Sequence, residues 1–151
     1  MQNEKEEYIR FEIESEYFGT AKNECTILSY REKIHKEILP VIYSKAFTDE
    51  PWKDDWDTFE SFDPAGVFLA VDSTYSTPVG FIISFLVENY GYISVLAVIP
   101  EYQNMGYGEM LLGKAIEYLS RKGSKKICID VEETNFNAIK LYEKNGFSRK
   151  I

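Results

Sequence analysis

The sequence predicts an α/β (α+β) fold: one mixed sheet with helices on its faces, built as a single domain over residues 1–151. Three observations lead there. Stretches with the two-residue period of a strand and stretches with helical spacing follow one another along the chain instead of separating into blocks. Apolar residues 93–99 run into a turn containing Gly106 and Gly108 and then at once into a helical run. A length of 151 residues suits one core and is short for two.

Residues 1–7 are polar and acidic, read as a frayed end, and lack the apolar stretch of a secretory signal. Residues 8–18 alternate in part, Ile9, Phe11 and Ile13 against Tyr8, Arg10, Glu12 and Glu14, as in a half-buried strand. A short strand is expected at residues 25–28, after a loop around Gly19 and Asn23. Ile34, Ile38, Ile42 and Ala46 recur at helical spacing, so residues 32–47 form a helix or a helix pair that Pro40 kinks or restarts. Residues 48–63 combine seven acids with Trp52, Trp56, Phe59 and Phe62, a solvated loop or short helix with one packed side.

Strands follow at residues 67–71 and 79–88, separated by a turn at 73–78, and a hairpin turn at 89–91 leads into the strand 92–99. Leu112, Ala115, Ile116 and Leu119 mark an amphipathic helix over 109–122, with Gly123 as its C-terminal stop. Residues 126–131 are a strand. Ala138, Leu141 and Tyr142 place a short helix between Asn135 and Asn145, which Gly146 ends, and one more strand begins at Phe147.

The net charge of −8 is uneven. Residues 1–100 hold 8 Lys/Arg against 18 Asp/Glu, net −10, and residues 101–151 hold 9 against 7, net +2. No basic face of the kind nucleic acid requires is visible, and no apolar run is long enough to cross a bilayer. Two cysteines are too few for a disulfide framework, which points to a reduced, cytoplasmic setting. His35, the sole histidine, reads as structural, Cys128 has no histidine partner in its neighbourhood, and metal-ligand spacing is absent.

The stretch with chemical content is Gln103-Asn104-Met105-Gly106-Tyr107-Gly108. A helix preceded by small, permissive residues leaves its first N–H groups bare, and with the helix dipole they favour an anion. The spacing is neither the dinucleotide fingerprint, which needs a third glycine and a downstream acid, nor a Walker A loop, which needs Gly-Lys-Ser/Thr. Asn135 suits a helix N-cap, and Tyr142 shares an apolar face with Ala138 and Leu141.

Taken with Leu96-Ala97-Val98-x-Pro100 upstream and Asn135-x-x-Ala138-x-x-Leu141-Tyr142-x-x-x-Gly146-Phe147 downstream, the stretch resembles the GCN5-related N-acetyltransferase family. The likeness runs from about Val67 to Phe147, and Ala46-Phe47 with Pro51-Trp52 is similar to a loop of ribosomal-protein and amino-terminal acetyltransferases. The resemblance implies a mostly antiparallel sheet with helices on both faces and acetyl-CoA as cosubstrate. It also implies direct transfer of the acetyl group to a primary amine of a small molecule or peptide. By the same resemblance, the pyrophosphate lies on the main chain of residues 103–108 and the pantetheine along Leu96, Ala97 and Val98, where two strands splay apart.

Asn135 matches a residue that contacts the pantetheine, as well as suiting the cap. Tyr142 matches the general acid that protonates the departing thiolate, the alternative being a plain core residue. Asp130 falls where amino-terminal acetyltransferases carry a base; it either acts through a water or is a strand-end acid bonded to backbone. Glu88, Glu132 and Glu133 are reserves. Family members usually continue past Gly-Phe into two further strands, whereas here residues 146–151 remain. Either residues 8–18 take the sheet position so left, or a second subunit covers the edge, as in a homodimer. A non-catalytic acyl-CoA-binding module is the other functional reading.

Overall fold

The computed structural model describes residues 7–14 and 27–150. Its elements are β1 (Tyr8–Glu14), β2 (Ile27–Ser29), α1 (Glu32–His35), α2 (Ile38–Ala46), β3 (Val67–Asp72), β4 (Thr77–Val87), β5 (Tyr90–Val98), α3 (Tyr107–Arg121), β6 (Lys126–Glu132), α4 (Phe136–Lys144) and β7 (Ser148–Arg149). They form a seven-stranded sheet in the order β2-β3-β4-β5-β6-β1-β7. Every strand pair is antiparallel except β5 with β6. Among the described residues no helix is long and apolar enough to cross a membrane.

The sheet divides the core into two layers. Leu111, Leu112, Ala115, Ile116 and Leu119 of α3 pack with Val79, Ile82, Ile93, Ile127 and Ile129 on one face. On the other, Leu39 and Ile42 of α2 pack with Leu69, Phe81, Ile83 and Ala97, edged by Trp52, Trp56 and Phe62. Residues 48–63 therefore join the second layer through their aromatics, while their chain runs in turns and not as a helix. The helical stretch 32–47 is a pair, and Pro40 lies in the first turn of α2, where its missing N–H costs nothing. His35 is buried and structural: its Nδ1 accepts the Arg31 N–H at 2.8 Å, and burial pushes its pKa down.

The N-terminal strand lies across the sheet from β2, the next strand in sequence. β1 pairs with β6 from Tyr8↔Glu132 to Glu14↔Lys126, and β7 adds to its far side at Phe11↔Arg149 and Glu12↔Ser148. Alternation explains why this edge suits it. Ile9, Phe11 and Ile13 enter the α3-side core with Val131 and Phe147, while Arg10 and Glu12 on the opposite face meet Asp130, Lys126 and Lys150. The outer edge of β6 is thus covered within the chain, so this edge gives no reason to invoke a second subunit. Residues 15–18 of the expected strand, the loop at Gly19 and Asn23, and Cys25 lie outside the described residues.

Several boundaries differ by a residue or two from expectation, β4 running over Thr77–Val87 and β2 ending at Ser29 for instance, and two of the shifts have a backbone cause. Helix α3 begins at Tyr107 rather than Glu109, because Gly106 takes φ +91° and caps it. The hairpin before β5 is tighter, turning at Glu88, which takes φ +56°, so that β5 starts at Tyr90.

Candidate active site

β5 and β6 run together for three residue pairs only, Gly91↔Ile127, Tyr92↔Cys128 and Ile93↔Ile129. The register with β4 then shifts, from Ser84↔Ile93 to Ile83↔Val95, which leaves Ser94 as an extra, bulged residue on β5. One inserted residue reverses the alternation: Ile93 faces the α3 layer, and beyond the bulge it is Leu96 and Val98 that do so, while Val95 and Ala97 face the α2 layer. From the bulge onward β5 keeps its ladder with β4 and has parted from β6.

At this gap lies a cavity of about 580 Å³. Leu96 and Val98 of β5, Gly106 and Gly108 at the start of α3, and Asn135 and Tyr142 of the α4 segment line it. Gly106 caps α3 without any side-chain hydrogen bond, so the first-turn N–H groups have no capping side chain. Asn104 two residues earlier is also left-handed, at φ +64°, a conformation asparagine tolerates. Gln103 ties this loop to the strand, its Nε2 donating to the Val98 carbonyl at 3.0 Å. At Gly108 a Cβ would sit 3.1 Å from Leu141 Cδ2, which shows how closely α3 and α4 approach.

Asn135 does what its N-cap pattern suggests, its Oδ1 accepting the Ala138 N–H at 3.2 Å, and it also lines the cavity. Tyr142 likewise satisfies both of its readings. Its ring packs near Phe11 and Phe147, at centroid distances of 6.1 and 5.8 Å, and the residue is 4% exposed, yet it reaches the cavity. Burial pushes its phenol well above the usual range, so it stays protonated.

Other expected residues stand elsewhere. The Ala97 side chain lies in the α2-side core, Met105 is exposed, and Tyr107 packs edge-on to Tyr102 at 5.9 Å, and none of the three is among the residues that line the cavity. Asp130 is outside the cavity lining. Both of its oxygens are engaged: Arg10 Nε donates to Oδ1 at 2.9 Å, Arg10 Nη2 to Oδ2 at 3.0 Å, and the Tyr92 hydroxyl to Oδ2 at 2.9 Å. The Arg10 fork holds this carboxyl below the usual carboxylate range, whereas burial, reinforced by the bond to Asp130, pushes Tyr92 up to about 12. Of the reserves, Glu132 accepts the Tyr8 hydroxyl at 3.2 Å, and Glu88 and Glu133 sit in turns.

The sequence reading missed Arg10 and Tyr92, and it missed Lys140, Lys144 and Glu109 around the cradle. Lys144 Nζ bonds Glu109 Oε2 at 3.2 Å, joining α4 to the first turn of α3. The four-residue spacing of Lys140 and Lys144 was a signal for that wall, whereas nothing local marks Arg10.

Comparison with known proteins agrees with this geometry. Residues 32–147 match the Acetyltransferase (GNAT) family. A mycothiol acetyltransferase of Geodermatophilus obscurus is 35% identical over 108 residues, covering 66% of this chain and 31% of that one. The crystal structure of the ribosomal-protein-S18-alanine N-acetyltransferase from Escherichia coli aligns with a TM-score of 0.70 at 26% identity, over 83% of this chain and 79% of that one. Arabidopsis thaliana Naa50, solved in complex with the bisubstrate analogue CoA-Ac-MVNAL, shares the fold with a TM-score of 0.70 at 24% identity, over 83% and 84% of the two chains. The chain spans between 30% and 47% of the length of the curated relatives it matches. Since the match extends from α1 across β5, the cradle and α4 to Phe147, the chain belongs to the GNAT family of acetyltransferases.

Proposed function

We propose that the protein is an acetyl-CoA-dependent N-acetyltransferase that transfers the acetyl group directly to a primary amine in a ternary complex. One observation carries this reading: the N-terminus of α3, which no side chain caps, and the buried Tyr142 open onto one cavity, at the place where β5 leaves β6. An anion site and a protonated acid so placed fit a donor with a polyphosphate at one end and a thioester at the other.

In this reading the main-chain N–H groups of residues 104–108 hold the pyrophosphate, and Lys140 adds positive charge from the α4 side, where Lys144 is already paired with Glu109. The edge of β5 that has parted from β6, at Leu96 to Val98, takes the pantetheine as an added strand, with Asn135 beside it. The amine nitrogen bonds to the carbonyl carbon as the carbon–sulfur bond breaks. Tyr142 gives its proton to the sulfur, and the surplus proton of the new amide nitrogen passes through water to restore the Tyr142 phenol. Burial keeps that proton on Tyr142, and the same apolar surroundings raise the proton affinity of the departing thiolate.

The ammonium loses its proton before attack, and here Asp130 acts through water. A carboxylate has about four accepting positions; the Arg10 and Tyr92 bonds occupy three, leaving one on Oδ1. A carboxylate held so firmly ionised is a weak base, so Asp130 orients an ordered water that passes the proton on to bulk solvent. The acceptor is a protein amino terminus, a lysine, a polyamine or another small amine, drawn in by the acidic segment 48–63 in the cytoplasm.

The test combines calorimetric binding of acetyl-CoA with thiol release across a panel containing an alanine-initiated peptide, a lysine peptide, spermidine and an amino sugar. Saturable binding and turnover of at least one acceptor are expected. Binding without turnover on any of them would assign the chain to the non-catalytic module instead, and no binding would overturn both readings.

A further inference from the structure

The N-terminal strand brings more to the gap than a sheet edge. Arg10 stands opposite Asp130 in the β1–β6 register, and its guanidinium meets the carboxylate through two bonds, at 2.9 and 3.0 Å. A planar fork on a carboxylate fixes orientation as well as distance, which a single lysine contact does not. The Tyr92 hydroxyl adds a third bond at 2.9 Å, and the guanidinium carbon lies 6.0 Å from the Tyr92 ring centre. Residues separated from Asp130 by 120 and 38 positions thus converge one step beyond Ile93↔Ile129, the last pair before β5 and β6 part.

Stapling the strand does not require this cluster. Further along β1, Glu12 is bonded to Lys126 at 3.4 Å and to Lys150 at 3.3 Å, and Ile9, Phe11 and Ile13 are buried in the core. We infer that Arg10 is a positioning residue for the transfer reaction: the N-terminal strand delivers its guanidinium to the mouth of the gap, where it holds Asp130 and Tyr92 in one fixed arrangement. The inference rests on the proposed reaction, in which Asp130 orders the water that takes the amine's proton.

Among the described residues, the ionisable groups around Asp130 are Arg10 on β1, Tyr92 on β5, and Cys128 and Glu132 two residues to either side on β6. Tyr8 and Glu12 flank Arg10, and Tyr43 on α2 feels the charge of Glu132. Arg10 is the cation of this set. Without it the carboxyl keeps its partial burial and loses its main stabilising bonds, so its proton affinity rises.

The experiment compares Arg10→Gln, Arg10→Lys and, as a stapling control, Glu12→Gln. With the acceptor found in the panel, Arg10→Gln is expected to lower kcat roughly 10- to 100-fold, less than the ~10²–10⁴ that a positioned acid or base contributes. KM for acetyl-CoA stays within about twofold, since the cradle is on other elements. The acid limb of kcat moves to higher pH, Arg10→Lys recovers part of the rate, and Glu12→Gln keeps the parental rate and profile. In an Asp130→Asn background, Arg10→Gln costs little further rate. A folded Arg10→Gln with the parental kcat and pH profile overturns the inference, as does an equal loss in the Asp130→Asn background. If the parent protein turns over no acceptor, the functional reading fails, and NMR titration of the Asp130 carboxyl carbon still decides the clamp. A midpoint that rises in Arg10→Gln supports it, and an unchanged midpoint overturns it.

Discussion

The two walls of the gap are built by opposite means. On the side proposed for the donor, residues 103–108 form a loop whose main chain is arranged by left-handed Asn104 and Gly106 and tied down by Gln103. On the other side Arg10, Tyr92 and Asp130 use side chains from three strands, brought together by a register and not by a loop. The first wall is a property of consecutive residues and tolerates side-chain variety wherever main-chain geometry survives. The second depends on β1 docking against β6 in one register, because a slip of one residue would turn Arg10 into the core face.

Tyr142 lines the cavity that Gln103, Asn104, Gly106 and Gly108 also line, and changing it sharpens the comparison most. Tyr142→Phe keeps the buried ring and deletes the proton donor, so kcat is expected to fall at least about 100-fold while acetyl-CoA affinity changes less than about twofold. An unchanged rate in stopped-flow thiol release would remove Tyr142 from the mechanism. The donor wall is probed by Gly106→Val. The glycine has open space around it, so a bulky residue meets no clash; what it meets is φ +91°, where a β-branched residue is strained. At roughly 1–2 kcal/mol of strain in the cradle, calorimetry should find acetyl-CoA bound about tenfold more weakly, with the maximal rate largely kept. Native affinity in that variant would mean that this loop geometry does not hold the donor.

The smallest expected effect tests the other wall through stability. The folded-state pKa of Asp130 is lowered, so its ion pair contributes fully above the unfolded carboxylate value near about 3.9 and is lost as pH falls through the lower folded value. With both side chains part-exposed, the pair is worth about 1 kcal/mol, or about 2–4 °C in Tm for a domain this size. The Tm difference between the parent and Arg10→Gln should therefore hold between about pH 7 and about pH 5 and shrink below about pH 4. A difference independent of pH would point to packing alone.

Much of the donor wall was legible beforehand. Gly106 and Gly108 after an apolar strand, Asn135 before a helical face, and Tyr142 on that face are patterns among near neighbours, and local geometry follows from them. The alternation of β1 was also legible, and so was the prospect that it would fill a sheet position left by the short C-terminal segment, though not which strand it would join. The bulge at Ser94 was hidden, because residues 92–99 read as an unbroken strand and the inserted residue shows only against its partner strand. Arg10 was hidden for a related reason: one arginine in an alternating segment reads as a solvated face until the opposing residue is known.

What the sequence by itself determined, then, is the order of elements, the glycine-bearing loop before α3 and the apolar face of α4 that carries Tyr142, since each follows from torsional preference and spacing within a few residues. Only the tertiary structure decided that β1 lies between β6 and β7, that β5 parts from β6 after Ile93, and that Asp130 is clamped rather than free. Those outcomes depend on pairings between distant strands, where many registers satisfy the local pattern. The one adopted is the register that buries Ile9, Phe11 and Ile13 together while placing Arg10 opposite Asp130.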